Sequence, residues 1–445
     1  MKKILAIVMA LMLAISLCGC AELENLKNVE LPPLPDSDAQ AAQAAEVIPT
    51  EDIDTSGSLA QSTLPNHVIV SMEGFSEQYF DPQNNEQLIL TFSYETPSVY
   101  IEGRDAAMNT INEYVATLDE TYYTGNDYGV TSKYDILDGG ISGVNAMLEA
   151  AIDNYSYSVE SGAGDIPLEF SSERTARVER IDISVLSLVY STYTYTGGAH
   201  GRYTQAEYSF DTESGERLTL DTLSADAAGL KAFLADYLVA LYNADEDGYY
   251  SARVYEDLMA DADNNPVAEL VREGAWYFNN EGMVFSALPN ELGPYASGII
   301  EFTVPYDALA EHIDGKYLPP LHETAAGALT VKAQSAVEDG SVEIIDKVTV
   351  DPESEELCLF AEGTLYDLRL STVEYSDKFY ETAQLWACSY MNDCALQLET
   401  LVPDGMPKVM ISWRDADGTG HAKLVTQSGE TGEYILVDDD IEAVG

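Results

Sequence analysis

The stretch IDISVLSLVYSTYTYTGGAHGRYTQAEYSFD, residues 181–211, holds most of the information about architecture in one run. Ile181, Ile183 and Val185 alternate with polar residues, the phase then moves to Leu186, Leu188 and Tyr190, and it returns at Tyr193 and Tyr195. A one-residue shift turns the inward face of a strand outward, so the pattern predicts one long strand with bulges or bends near 185 and 191. Gly197 and Gly198 permit positive φ and close backbone approach, which places a turn before the strand Tyr203–Phe210. Within that turn His200, flanked by Tyr195 and Gly201, carries three readings: a hydrogen-bonded turn residue, a ligand or partner contact, or a general base. Nearby residues form no GxSxG, HExxH or phosphate-loop pattern, so no catalytic residue, cofactor or metal is assigned.

Around this stretch the sequence alternates strand and helix signals without a regular βαβ beat. His67–Val70 and Leu88–Tyr94 read as strands, and Met108, Ile111, Val115 and Leu118 share a helical face, as do Val144, Met147, Leu148, Ala151 and Ile152. Glu213-Ser-Gly-Glu216 marks a turn, and Leu230, Phe233, Leu234, Tyr237, Leu238 and Leu241 define the clearest amphipathic helix. A shorter helix is framed by Pro266 and Gly274, Trp276–Phe278 and Met283–Phe285 read as a hairpin, and Gly298–Val304 as a strand. Beyond Leu321 the helical period ends, and apolar runs at 329–333, 342–345, 357–360, 365–370, 395–398, 409–413 and 434–437 recur between turns. The expected fold class is α+β, a largely antiparallel sheet with packed helices followed by a C-terminal all-β, sandwich-like domain.

Charge narrows the partners. With 77 acidic against 21 basic residues and a net charge of −56, nucleic acid is not expected as a partner, because its binding rests on basic side chains displacing counterions. Solvated acidic faces for solubility and attraction of a cationic protein are the two readings of that charge. Asp415-Ala-Asp-Gly-Thr-Gly420 and Asp261-Ala-Asp-Asn-Asn265 begin like EF-hand loops, but neither ends in the bidentate Glu, so a hairpin turn and a loop are expected there.

Lys2 and Lys3 precede an apolar run, Ile4–Leu17, too short for a spanning helix of about 20 residues but suited to a secretory signal. The ending Leu17-Cys-Gly-Cys20 resembles the lipobox of bacterial lipoproteins, which implies lipid attachment at Cys20 and anchorage to the outer face of the cytoplasmic membrane. The organisation expected is a signal peptide at 1–19, an acidic, proline-containing tether at 20–65, an upstream domain at 66–165, a second at 166–320 and a β-rich domain at 321–445. Three cysteines remain: Cys388 and Cys394 flank a polar run, 389–393, that reads as a tight turn allowing a disulfide or two free thiols, and Cys358 would be left over.

The run Ile181–Leu188, then Tyr195-Thr-Gly-Gly-Ala-His200, Phe210-Asp with Ser214-Gly-Glu and Leu218-Thr-Leu, Gly282-Met-Val-Phe, and Pro294-Tyr-Ala-Ser-Gly298 through Pro305-Tyr resembles the domain of unknown function 3298. The block before it resembles the domain found upstream of the catalytic region of PdaC-type polysaccharide deacetylases. The family includes the lysozyme-binding ectodomain of the anti-sigma-V factor. The resemblance therefore implies an envelope domain that binds rather than catalyses, with a wall-associated protein such as a lysozyme-like muramidase, another cationic protein, or peptidoglycan as partner. It does not extend to the C-terminal block, and no deacetylase domain or sigma-binding segment is recognised. A wall-modifying hydrolase using His200 with an acidic partner is the alternative.

Overall fold

The computed structural model describes residues 67–82, 84–125, 143–160, 169–197, 200–245, 248–255, 265–320, 327–333, 342–350, 356–376, 378–400, 407–438 and 441–442. The segments expected as signal peptide, with Cys20, and as tether lie outside them, as do Gly198 and the loop expected at 261–264. Among the described residues no helix is long and apolar enough to cross a membrane.

β1 (Val68–Asp81) and β2 (Asn84–Ile101) form an antiparallel hairpin far longer than their apolar runs. Val68–Val70 are buried, and from Ser71 to Phe80 β1 mixes half-buried and exposed residues, so hydrophobicity marks only its first few positions. Two helices follow, α1 (Asp105–Thr124) and α2 (Val144–Glu160), before β3 (Phe170–Ile181) returns parallel to β2. Gly125 ends α1 in the left-handed conformation, φ 75°, its N–H donating to the Thr121 carbonyl. Ile111 and Val115 of α1 pack on Val99, Ile101, Val178 and Leu188 of the sheet.

β4 (Val185–Tyr195) and β5 (Arg202–Asp211) continue the sheet antiparallel. The structure departs from the expected single long strand at two points. The phase change near 185 is a hairpin turn rather than a bulge: the Asp182 carboxylate accepts from the Ser184 and Val185 amides, both at 2.8 Å, and reverses the chain between β3 and β4. Near 191 the β4–β5 register runs unbroken. Residues 185–190 are buried on both faces, so a contiguous apolar run there says nothing about phase. The irregularity lies instead at 178–180 of β3.

Gly215, φ 79°, closes the turn after β5 where a Cβ would strike the backbone of Ala107. α3 (Ala227–Asn243), capped by Asp226, which accepts from the Gly229 amide at 2.9 Å, buries Leu230, Leu234 and Leu238. These pack on a three-stranded sheet of β6 (Trp276–Phe278), β7 (Gly282–Ala287) and β8 (Ile300–Pro305). The segment between Pro266 and Gly274 contains one 3-10 turn, Ala268–Leu270. Val284 and Tyr277 of the small sheet meet Val189 of β4, so β4 lies between the small sheet and the α1 layer.

The C-terminal strands are β9 (Ala328–Ala333), β10 (Glu343–Thr349), β11 (Glu356–Glu362), β12 (Thr364–Tyr375), β13 (Phe379–Asn392), β14 (Cys394–Glu399), β15 (Val409–Arg414), β16 (Gly420–Gln427), β17 (Tyr434–Val437) and β18 (Ile441–Glu442). They form the expected all-β region: β9, β10, β11 and β14 make a four-stranded sheet whose Leu357, Leu359, Leu396 and Leu398 pack on Leu368, Leu370 and Trp386 of β12 and β13. The hairpin turn at 415–419 joins β15 to β16, with Gly418 at φ 84°. β13 also pairs with β1, so among the described residues one eleven-stranded sheet runs β17-β16-β15-β12-β13-β1-β2-β3-β4-β5, with β18 on β13. That sheet crosses the divisions expected at 165 and 320, and residues 63–445 make one compact unit.

The disulfide alternative is not realised: Cys388 and Cys394 are buried free thiols, and Cys358 is buried as well. Residues 389–392 continue β13, and the reversal is confined to Asp393, φ 49°, after which β14 enters the opposing sheet. Cys388 donates instead to the Tyr390 carbonyl.

Candidate functional site

The β3–β4–β5 register assigns side chains to faces. Val189 pairs with Glu207, Ser191 with Gln205 and Tyr193 with Tyr203, while β3 contributes Arg177, Thr175 and Glu173 to the same rows. On the opposite face Tyr190, Tyr208 and Phe210 pack against the α1 layer. Among the described residues the small sheet covers one end of the first face, where Val284 sits on Val189. Beyond that cover, Thr175, Ser191, Tyr195 and Tyr203 are half-buried, and Glu173 and Tyr193 are exposed, Tyr193 at 40%, while half-buried Gln205 reaches Ser286 at the edge of the small sheet. The result is an open polar strip with tyrosines set along it.

The loop predicted to carry the site closes the strip. Gly197 takes φ 96°, a conformation that favours glycine. His200 is exposed, and its Nδ1–H donates to the Gly201 carbonyl at 2.9 Å. A carbonyl can only accept, so in the neutral ring Nε2 is left as an acceptor. The imidazole stacks on Tyr295, centroids 4.4 Å apart at 21°, which fastens the β4–β5 loop to the 3-10 turn Tyr295–Ser297. Burial, then the neighbouring Tyr193 hydroxyl, raises the Tyr295 hydroxyl above its usual range. Gly201 is buried because the Tyr193 ring lies where its Cβ would stand. The structure thus gathers Tyr195, Gly197, His200 and Gly201 around one loop.

At the covered end are groups that motif reading missed. Tyr277 of β6 donates its hydroxyl to Glu301 of β8 at 2.9 Å. Burial raises the Glu301 carboxyl, the Tyr277 hydrogen bond opposes it, and Glu179 adds to it. Glu207 is 2% exposed and pushed up to about 8, chiefly by burial; its Oε1 accepts from Gln205 Nε2 at 3.0 Å, while Oε2 has no hydrogen-bond partner among the described residues. The available signal was the alternation Tyr203, Gln205, Glu207, Ser209: four polar-tipped residues on one side of a strand whose other side carries Ala206, Tyr208 and Phe210.

Chemically, the strip offers aromatic faces for stacking, side-chain hydrogen-bonding groups and an imidazole fixed by a carbonyl and a ring. Those features suit recognition of a polar, non-anionic surface.

A family model described as "Protein of unknown function (DUF3298)" matches residues 230–307, a narrower span than the 166–320 expected. No curated protein matches. Among solved structures, a DUF3298 family member from Bacteroides fragilis is similar over 55% of this chain and 92% of its own, at 15% identity and a TM-score of 0.39. A DUF3298 family protein from Pseudomonas aeruginosa PAO1 is similar over 56% and 97%, at 15% identity and a TM-score of 0.34. The matched span runs from α3 through β8, and residues 230–307 of this chain are a DUF3298 domain.

Proposed function

We propose that this protein is a cell-surface lipoprotein whose folded part is a non-catalytic binding module for a wall-associated ligand, a lysozyme-like muramidase or another cationic protein, or peptidoglycan itself. The observation that carries the reading is the open strip of Tyr193, Tyr203, Gln205 and the Tyr295-stacked His200, beside the DUF3298 domain. A net charge of −56 favours cationic partners and disfavours anionic ones. Anchorage through Cys20 is supported by the Leu17–Cys20 motif, and the upstream block at 66–165 is proposed as the domain that precedes PdaC-type deacetylases.

Binding is favoured over hydrolysis by the setting of His200. Its hydrogen bond goes to a carbonyl and its ring to a tyrosine, and among the described residues no carboxylate is hydrogen-bonded to the imidazole. Co-sedimentation with purified peptidoglycan and capture of a muramidase test the reading, comparing the wild type with Tyr193→Ala and Tyr295→Ala. Retention by the wild type that the variants lose is the expected result. Retention unchanged in both variants, or none in the wild type, contradicts it, and release of peptidoglycan fragments that His200→Ala abolishes would establish the hydrolase instead.

A further inference from the structure

The carboxyl of Glu207 is sealed between two layers, with β5 beneath it and the small sheet above. Gln205 bridges them, donating to Glu207 Oε1 at 3.0 Å and to Ser286 Oγ of β7 at 3.3 Å. The charged and titratable groups around it come from every neighbouring element. Glu301 lies on β8, opposite Ser286 in the register, and Tyr277 on β6; Arg272, just before β6, is already paired to Glu291. Glu179 and Arg177 of β3 face each other at 3.5 Å at the rim, and Tyr208 approaches from the far side of β5. Among these described groups carboxyls outnumber cations, and Arg272 is paired to Glu291 and Arg177 to Glu179. Oε2 of Glu207 is buried without a hydrogen-bond partner among the described residues. A proton neutralises an oxygen so enclosed, and losing it would leave an unpaired charge between two packed layers.

We infer that Glu207 is a proton-operated latch: protonated, it lets the β6–β7–β8 sheet close on β4 and β5, and ionised, it drives that sheet to loosen. The inference goes beyond the binding reading and holds whichever ligand the strip takes. Because a buried carboxyl with a raised pKa favours the protonated, closed form, closure is tightest at acidic pH, weakens as pH rises from the usual carboxyl range towards about 8, and levels off above it. Gln205 sits next to Tyr203 on the face of β5, so loosening reaches the open strip.

Hydrogen exchange by mass spectrometry on the full chain tests this. After correction for intrinsic base catalysis, protection over residues 276–287 falls at least about tenfold between pH 6.5 and 9, while protection over β1 and β2 holds. Glu207→Gln, isosteric and uncharged, abolishes the fall. Should that variant not fold, Glu301→Gln serves: removing a like charge eases ionisation of Glu207, and the fall moves to lower pH. The latch is overturned by a pH profile that is the same in the wild type and Glu207→Gln, or by one that Glu301→Gln leaves in place.

Discussion

At the scale of single residues, two glycines separate site from scaffold. A methyl at Gly201 meets the far end of the Tyr193 side chain, which is exposed and free to swing. Gly201→Ala should therefore leave the melting temperature within a few degrees of the wild type while weakening ligand binding, since the strip loses its ordered ring. A methyl at Gly282 meets the backbone of Val304 inside the small sheet, where neither partner can move. Gly282→Ala should cost about 1–3 kcal/mol in denaturant unfolding, as overpacking does. Glu207 makes the third case. The unfolded chain releases its proton near 4.5 and the folded chain near 8, so stability falls as pH rises across that window and levels above it. Thermal melts of Glu207→Gln should show this loss flattened and a higher melting temperature than the wild type at pH 8.

Elements show which parts of the sequence could be read and which could not. Asp226→Ala removes the cap of α3 and should cost about 1 kcal/mol, measured by urea denaturation. That helix was legible because Leu230, Leu234 and Leu238 repeat at its natural spacing, and the β6–β7 hairpin because its turn residues lie between two aromatic runs. β13 was not legible. Ser389, Asn392 and Asp393 resemble a turn, yet Ser389 Oγ accepts from the Val68 amide at 3.0 Å and Asn392 pairs with Thr364. Their partners lie in distant strands, and local sequence cannot show them. The same misreading suggested a bridge between Cys388 and Cys394. Burial instead pushes the Cys394 thiol up to about 11 and Cys388 higher still. Both should resist iodoacetamide in the native state and react fully on unfolding without reductant. Of the site, the glycine loop and His200 were visible in sequence. Tyr295 and Glu207 were not, because their roles depend on the stack and on the layer that cover them.

For the whole molecule, the decisive contact is β1 between β2 and β13. It turns three sequence blocks into one sheet, and side chains stitch the seam: Gln384 accepts from the Val178 amide at 2.7 Å, Arg369 donates to the Glu179 carbonyl at 2.8 Å, and Asn280 donates to Asp367 at 2.6 Å. The chain should unfold in one transition, with Trp276 on one side of the seam and Trp386 and Trp413 on the other reporting the same midpoint. Two separated transitions would show that the blocks are independent.

The binding claim itself is met most directly by calorimetric titration of the protein with a lysozyme-type muramidase, at about 0.15 M and about 1 M salt, where the Debye length shrinks from roughly 8 to 3 Å. Saturable one-to-one binding that persists at high salt and is lost in Tyr193→Ala is the predicted result. Heat that vanishes at high salt, or that Tyr193→Ala leaves unchanged, would reduce the attraction to the bulk field of an acidic protein and contradict a shaped site on the strip.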